Sequence, residues 1–120
     1  MNGKNRFVQI DNKEIDKSKV HLLIDILEYV QHSVLSKKII NKLKGNVTVS
    51  SLDTGQGFLD KTSPFDSFIY IIDGKAEIII DGVSKVLETG DGIIIPANHS
   101  NSITANERFK MIATVIKTQQ

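Results

Sequence analysis

The sequence predicts an all-β fold, a jelly-roll β-barrel preceded by a short N-terminal helix. Three observations carry this. Short apolar runs recur from about Gly45 onward, Asp-Gly and Thr-Gly-Asp-Gly turns separate them, and seven of the eight glycines lie beyond Lys44. Closely spaced strands with glycine-bearing turns are the pattern of barrels and jelly rolls.

Met1–Lys17 is rich in Asn, Lys and Asp. It reads as a flexible arm with a short strand at Phe7–Ile10. In Val20–Val30, Leu23, Ile26, Leu27 and Val30 fall at helical spacing, with Ser18 or Asp16 placed to cap the start. So short a helix is marginal alone and has to dock on the barrel. From Ser33 to Lys44 the apolar residues Val34, Leu35, Ile39, Ile40 and Leu43 also fit a helical stripe. Residues 18–43 hold the short helix and the segment after it, and residues 44–118 the barrel.

Within the barrel, Asn46–Ser50 alternates polar and apolar, as a half-buried strand does. Phe68–Ile72 is an apolar run ended by Asp73-Gly74, and Ala76–Ile80 another ended by Asp81-Gly82. Asp-Gly accepts the positive φ angles of a type I′ turn, so both sites read as hairpins. Ser84–Leu87, Ile93–Ile95 (stopped by Pro96), Ser100–Thr104 and Phe109–Lys117 complete about eight strands.

A length of 120 residues suits one domain, and 40% apolar with 24% charged residues is ordinary for a globular chain. The net charge of +1 argues against nucleic acid or anionic membrane as partner. The absence of Cys excludes disulfides, thiolate metal sites and a Cys nucleophile. The polar start MNGKNRFVQIDNKEIDK lacks the apolar stretch of a signal peptide, and no apolar run has the length of a membrane span. A cytoplasmic location is the expectation.

Two segments then stand out. Gly55, Lys61, Ser63, Ser67 and Gly74 follow the spacing Gly-x5-His-x-His-x3-Glu-x6-Gly. Gly90, Pro96, Asn98, Asn101 and Ala105 follow Gly-x5-Pro-x-Gly-x2-His-x3-Asn. These are the paired motifs of the cupin superfamily, which the chain resembles from about Lys44 to Lys117. It resembles most the small single-domain bacterial cupins with a conserved barrel. Their Gly-Gln-Gly, Ser-Pro-Phe-Asp and Pro-Ala-Asn elements stand here as Gly55–Gly57, Ser63–Asp66 and Pro96–Asn98. The resemblance implies a cupin-like jelly roll and makes Ser33–Lys42 a strand, against its helical rhythm. It also makes Asn98 a stand-in for a glycine of positive φ.

Metal-binding cupins place two His and a Glu in the first motif and a His in the second. Here Lys61, Ser63, Ser67 and Asn101 occupy those positions. None is a good ligand for a divalent transition metal, and a protonated Lys repels a cation. No metal site, cofactor or catalytic residue is therefore expected. His99, close to the lost ligand position, reads as a solvated turn residue, and His21 and His32 as surface or packing residues.

The resemblance points Lys61, Ser63, Ser67 and Asn101 into the barrel. Strand alternation adds Ile69 and Ile71, with Phe65 and Met111 also lining the cup. Asp66 and Lys61 are spaced to pair across a turn, which contributes roughly 0–1 kcal/mol at a surface. No Ser-His-Asp arrangement or paired catalytic carboxylates can be argued, and Gly90-Asp91-Gly92 precedes no helix, so it is no phosphate cradle. Three functions stay open. One is a metal-free module that binds a small molecule, as a sensor or accessory protein. Another is a metal-independent isomerase or lyase using Lys61 or His99 as acid or base. The third is a structural dimer with a vestigial cavity. Tyr70, Ile72 and Ile78–Ile80 are apolar on both faces of their strands, which favours a homodimer.

Overall fold

The alternating and unbroken apolar runs become nine strands in the computed structural model, which describes residues 7–118. They are β1 (Phe7–Asp11), β2 (Ser33–Lys42), β3 (Gly45–Leu52), β4 (Gly57–Lys61), β5 (Ser67–Ile80), β6 (Val83–Glu88), β7 (Gly92–Ile95), β8 (Asn101–Thr104) and β9 (Phe109–Ile116). Hydrogen bonds join them in the order β1-β2-β3-β9-β5-β8-β4, with β6 and β7 also on β5. The sheet curls on itself, as a cupin-like barrel requires. Among the described residues no helix is long and apolar enough to cross a membrane.

β5 is the spine. Its first half pairs with β9 and β7, its second half with β8 and β6. This corrects the hairpin expected at Asp73-Gly74, where β5 continues as one unbroken strand. The register against β9 shifts between Ile71 and Asp73, so the pair marks a bulge that bends the strand from one side of the barrel to the other. Gly74 has φ +90°, and a Cβ there would lie 2.3 Å from the Arg108 carbonyl oxygen. Close backbone approach, not chain reversal, is what this glycine serves. Asp81-Gly82 is the expected hairpin: both residues have positive φ, and Ile80 pairs with Val83. β4, which the sequence reading did not pick out, pairs with β8.

The expected helix over Val20–Val30 is also corrected. Only Leu23–Asp25 forms a single 3-10 turn. The segment lies across the outside of β3 and β9, and its carbonyls serve the barrel. The Lys110 ammonium donates to Ile24 O at 2.6 Å, the Ser51 hydroxyl to Glu28 O at 3.0 Å, and Ser33 N to Val30 O at 3.1 Å. An α-helix would hold those carbonyls internally, and one this short has little to offset the loss. Tyr29 anchors the segment. Its hydroxyl donates to Asp73 at 2.6 Å, and the Arg108 and Lys110 cations each sit 4.8 Å from its ring centre. Burial and the Asp73 carboxylate push the phenol pKa up.

Ser33–Lys42 is the strand that the resemblance implied. Of the arm over residues 1–17, residues 1–6 lie outside the described residues. From Phe7 onward the chain follows β2: β1 pairs with it in parallel, and Lys37 reaches Asp11 at 3.0 Å. Glu14 accepts Asn41 N–H at 2.7 Å and pairs with Lys42 at 2.8 Å. The Asn41 amide, then Lys42 and Lys17, pull its carboxyl down to about 2. The dry core fills one end of the barrel around Val34, Leu52, Ile71, Ile78 and Phe109, all almost wholly buried.

Candidate functional site

The strands that enclose the core at one end enclose a cavity at the other. Cross-strand register shows the change. On β2 and β3, Val34 faces Leu52, Ser36 faces Ser50, and Lys38 faces Thr48. The first pair is core, and the next two line the cavity. On β5 and β9, Ile71 faces Met111, Ile69 faces Ala113, and Ser67 faces Val115. The resulting open cavity has a volume of about 290 Å³.

Lys61, Ser63, Phe65, Ser67, Ile69, Asn101 and Met111 line it. Ile71, expected beside them, does not. It sits one inward position deeper than Ile69, fully buried in the core, because two residues of strand carry a side chain about 6.5 Å along the barrel.

The cavity's rim is held by local hydrogen bonds. The Asn101 side-chain amide donates to the carbonyls of Lys61 and His99, both at 3.2 Å, tying β4 to β8. Ser63 accepts Phe65 N–H on its hydroxyl at 3.1 Å and Asn98 N–H on its carbonyl at 2.7 Å. Asn98 has φ +66°, the left-handed conformation expected of it. The Lys61 ammonium lies 5.1 Å from the Phe58 ring centre. The expected Asp66–Lys61 pair does not form, because Asp66 accepts Ala97 N–H at 2.8 Å. His99 pairs with Asp81 at the exposed β5–β6 turn. His21 contacts Asp16 O at 2.9 Å, and His32 donates its backbone N–H to Asp53 at 2.8 Å.

One wall of the cavity escaped the sequence reading. Ser36 and Lys38 from β2 join Asn46, Thr48 and Ser50 from β3. The Ser36 and Ser50 hydroxyls hydrogen-bond at 2.7 Å in a buried position, and Lys38 donates to the Thr48 hydroxyl at 3.2 Å. Burial, with the Lys117 charge adding to it, holds the Lys38 ammonium below the usual lysine range. The signal was the alternation itself. Asn46, Thr48 and Ser50 form the inward set, while Val49 faces away from the cavity and is fully buried. Period-two patterning finds a strand but does not say which face is inside.

The residues at the four motif positions do not fit a metal ion. An ammonium, two hydroxyls and an amide offer neither imidazole nitrogen nor carboxylate oxygen. Among the described residues no group of three or more His, Cys, Asp or Glu is placed to hold one. Cavity chemistry here rests on two lysines, a set of hydroxyls and an apolar floor.

The family whose sequence pattern matches is described as "Cupin domain", over residues 45–115. A conserved protein of unknown function from Streptococcus pyogenes is 31% identical, with a TM-score of 0.84 over 90% of this chain and 95% of that one. A cupin superfamily protein from Desulfitobacterium hafniense is 22% identical, with a TM-score of 0.82 over 88% and 97% of the two chains. The EutQ protein of Clostridium difficile is 22% identical, with a TM-score of 0.62 over 72% and 70%. Among curated proteins none matches the sequence.

Proposed function

This chain belongs to the cupin family, and on that premise we propose that it binds a small molecule in its barrel without the family's metal centre. The carrying observation is the cavity. Its volume of about 290 Å³ stands at the lower edge of small-molecule sites, roughly 300–1,000 Å³. It joins an apolar floor to a few convergent polar groups, as binding sites do. Lys61, Ser63, Ser67 and Asn101 at the old ligand positions supply hydrogen bonds in place of metal coordination.

A metabolite screen by thermal shift tests this. A ligand at a hundred times its Kd adds about 2.7 kcal/mol to stability. Hits are expected to stabilise the wild type and to have no effect on Ser67→Phe, whose ring fills the cavity. Shifts that persist in Ser67→Phe, or a screen without hits, would sink the reading.

The same proposal includes a homodimer. Phe68 and Tyr70 on the outer face of β5 lie beside Ile94 of β7 and Ile112 of β9. Phe68 is 46% and Ile94 62% exposed, and the N-terminal segment covers β3 and β9 instead. A second copy burying this face against its own is the simplest closed assembly. Sedimentation of Phe68→Asp/Ile94→Asp should show a monomer where the wild type is dimeric. An unchanged sedimentation coefficient would remove this face from the interface.

A further inference from the structure

We infer that the cavity is built for a small carboxylate with an apolar tail, the anionic end held between Lys38 and Lys61. This deepens the binding reading above and rests on it. The charge balance is one-sided: two lysines line the cavity, and no Asp or Glu does among the described residues. Lys38 is partly desolvated and also feels the Lys117 charge, and a bound anion relieves both penalties. Lys38 has a hydroxyl as its hydrogen-bond partner, not a carboxylate. Its lowered affinity for the proton, caused by burial and the Lys117 charge, agrees with an ammonium that meets no counter-charge among the described residues.

The lining is divided by strand. Ser36, Thr48, Ser50 and the Lys38 ammonium come from β2 and β3, and Ile69, Ile95, Ile103 and Met111 from β5, β7, β8 and β9, with the Ser63 and Ser67 hydroxyls at the rim of the apolar side. A ligand matching both walls is polar along one edge and apolar along the other. The Thr48 hydroxyl is spent on Asn46 Oδ1 at 3.3 Å, but the Ser36–Ser50 pair uses one of its two hydroxyl hydrogens and leaves the other to donate to a ligand oxygen. Phosphate sites are usually built from helix N-termini, nests of backbone N–H groups or Arg forks. Among the described residues no Arg lines this cavity and no helix occurs beyond one 3-10 turn. Two lysines without the convergent backbone N–H or Arg donors that match three phosphate oxygens are a better fit to the two oxygens of a monoanionic carboxylate.

The test compares matched skeletons. Phenylacetate and 4-methylpentanoate are titrated into the full-length protein beside phenylacetamide and 4-methylpentanamide, with binding followed by calorimetry and amide NMR. The acids are expected to bind at least about tenfold more tightly than their amides, a difference of 1.4 kcal/mol. The preference should disappear in Lys38→Met, shrink in Lys61→Met and weaken as salt is raised. Lys38→Gln replaces Lys38→Met if the latter does not fold. Equal binding of acid and amide would overturn the carboxylate inference and leave the binding reading intact. So would failure of all four probes alongside metabolite hits that Ser67→Phe abolishes. If the metabolite screen also gives no such hit, both fall.

Discussion

The two ends of the barrel share the same strands and differ in what those strands point inward. At the closed end Val34, Leu52, Ile71 and Phe109 meet almost without solvent. Two residues further along, β2 and β3 present Ser36 and Ser50, then Lys38 and Thr48. Side chains shrink on the other wall, where Ala113 faces Ile69 and Val115 faces Ser67. Smaller and more polar side chains cannot fill the space, so a cavity opens. Stability is thus concentrated at one end, and the other is free to carry function.

The largest expected effect tests that division. Phe109→Ala empties the centre of the closed end and should cost about 3–5 kcal/mol in chemical denaturation. Ser67→Ala, at the cavity, should stay within about 0.5 kcal/mol. Comparable losses for the two would break the distinction between the ends.

Next in size is the clamp on the outer surface. Tyr29→Phe removes the hydroxyl that binds Asp73 but keeps the ring under Arg108 and Lys110. A hydrogen bond to a charged group contributes about 1.5–3 kcal/mol, and partial exposure puts this one at the lower end. Hydrogen exchange should quicken in the 20–32 segment while the core amides stay protected. Uniform loosening of the whole barrel would show that the clamp is part of the core after all.

This contrast also explains what the sequence disclosed. The strands of the barrel were legible because their signals are local or invariant to facing: apolar runs, Asp81-Gly82, and the glycine and proline frame. The cavity's rim was legible through motif spacing, since Lys61, Ser63, Ser67 and Asn101 stand where ligands usually do. The wall formed by Ser36, Lys38, Thr48 and Ser50 was not. It depends on which face of β2 and β3 is inside, and the alternation of Asn46–Ser50 reads the same for either facing, with Val49 buried on the side away from the cavity. Two features misled. Leu23, Ile26, Leu27 and Val30 keep helical spacing, but barrel donors claim their backbone carbonyls' neighbours at Ile24 and Glu28. Asp73-Gly74 carries hairpin chemistry but is spent on a bulge.

Acid response should also originate at the closed end. The His32 N–H first of all, then the Thr54 N–H and Arg108, hold the Asp53 carboxyl below its usual range against the opposing effect of burial. The unfolded chain therefore takes up this proton before the folded one does. The stabilisation is whole above the ordinary aspartate value near pH 3.8 and is lost as pH falls through the lower folded value. Asp53→Asn should make the acid limb of a stability-against-pH curve shallower, with Glu14 still contributing on its way down to about 2. Superimposable limbs for the two proteins would remove Asp53 from the account.

The smallest change in stability belongs to the cavity and separates the two ends most sharply. Lys38 loses affinity for its proton on folding, through burial and the Lys117 charge. Its unfolded form holds the proton more tightly, so the charged side chain costs stability at neutral pH. That cost fades as pH rises toward the ordinary lysine value of 10.5. The groups around the ammonium, Thr48 and Asn46 on β3 and Lys117 past the end of β9, supply no negative charge to reverse the sign. Lys38→Met keeps the stem's length and removes the charge. Its denaturation midpoint at pH 7 should match or slightly exceed the wild type's, within about 0.5 kcal/mol. The gap should close when both are measured near pH 10. A loss of several kcal/mol would mean that Lys38 holds the barrel together, and that the polar wall is structure, not a site kept at the fold's expense.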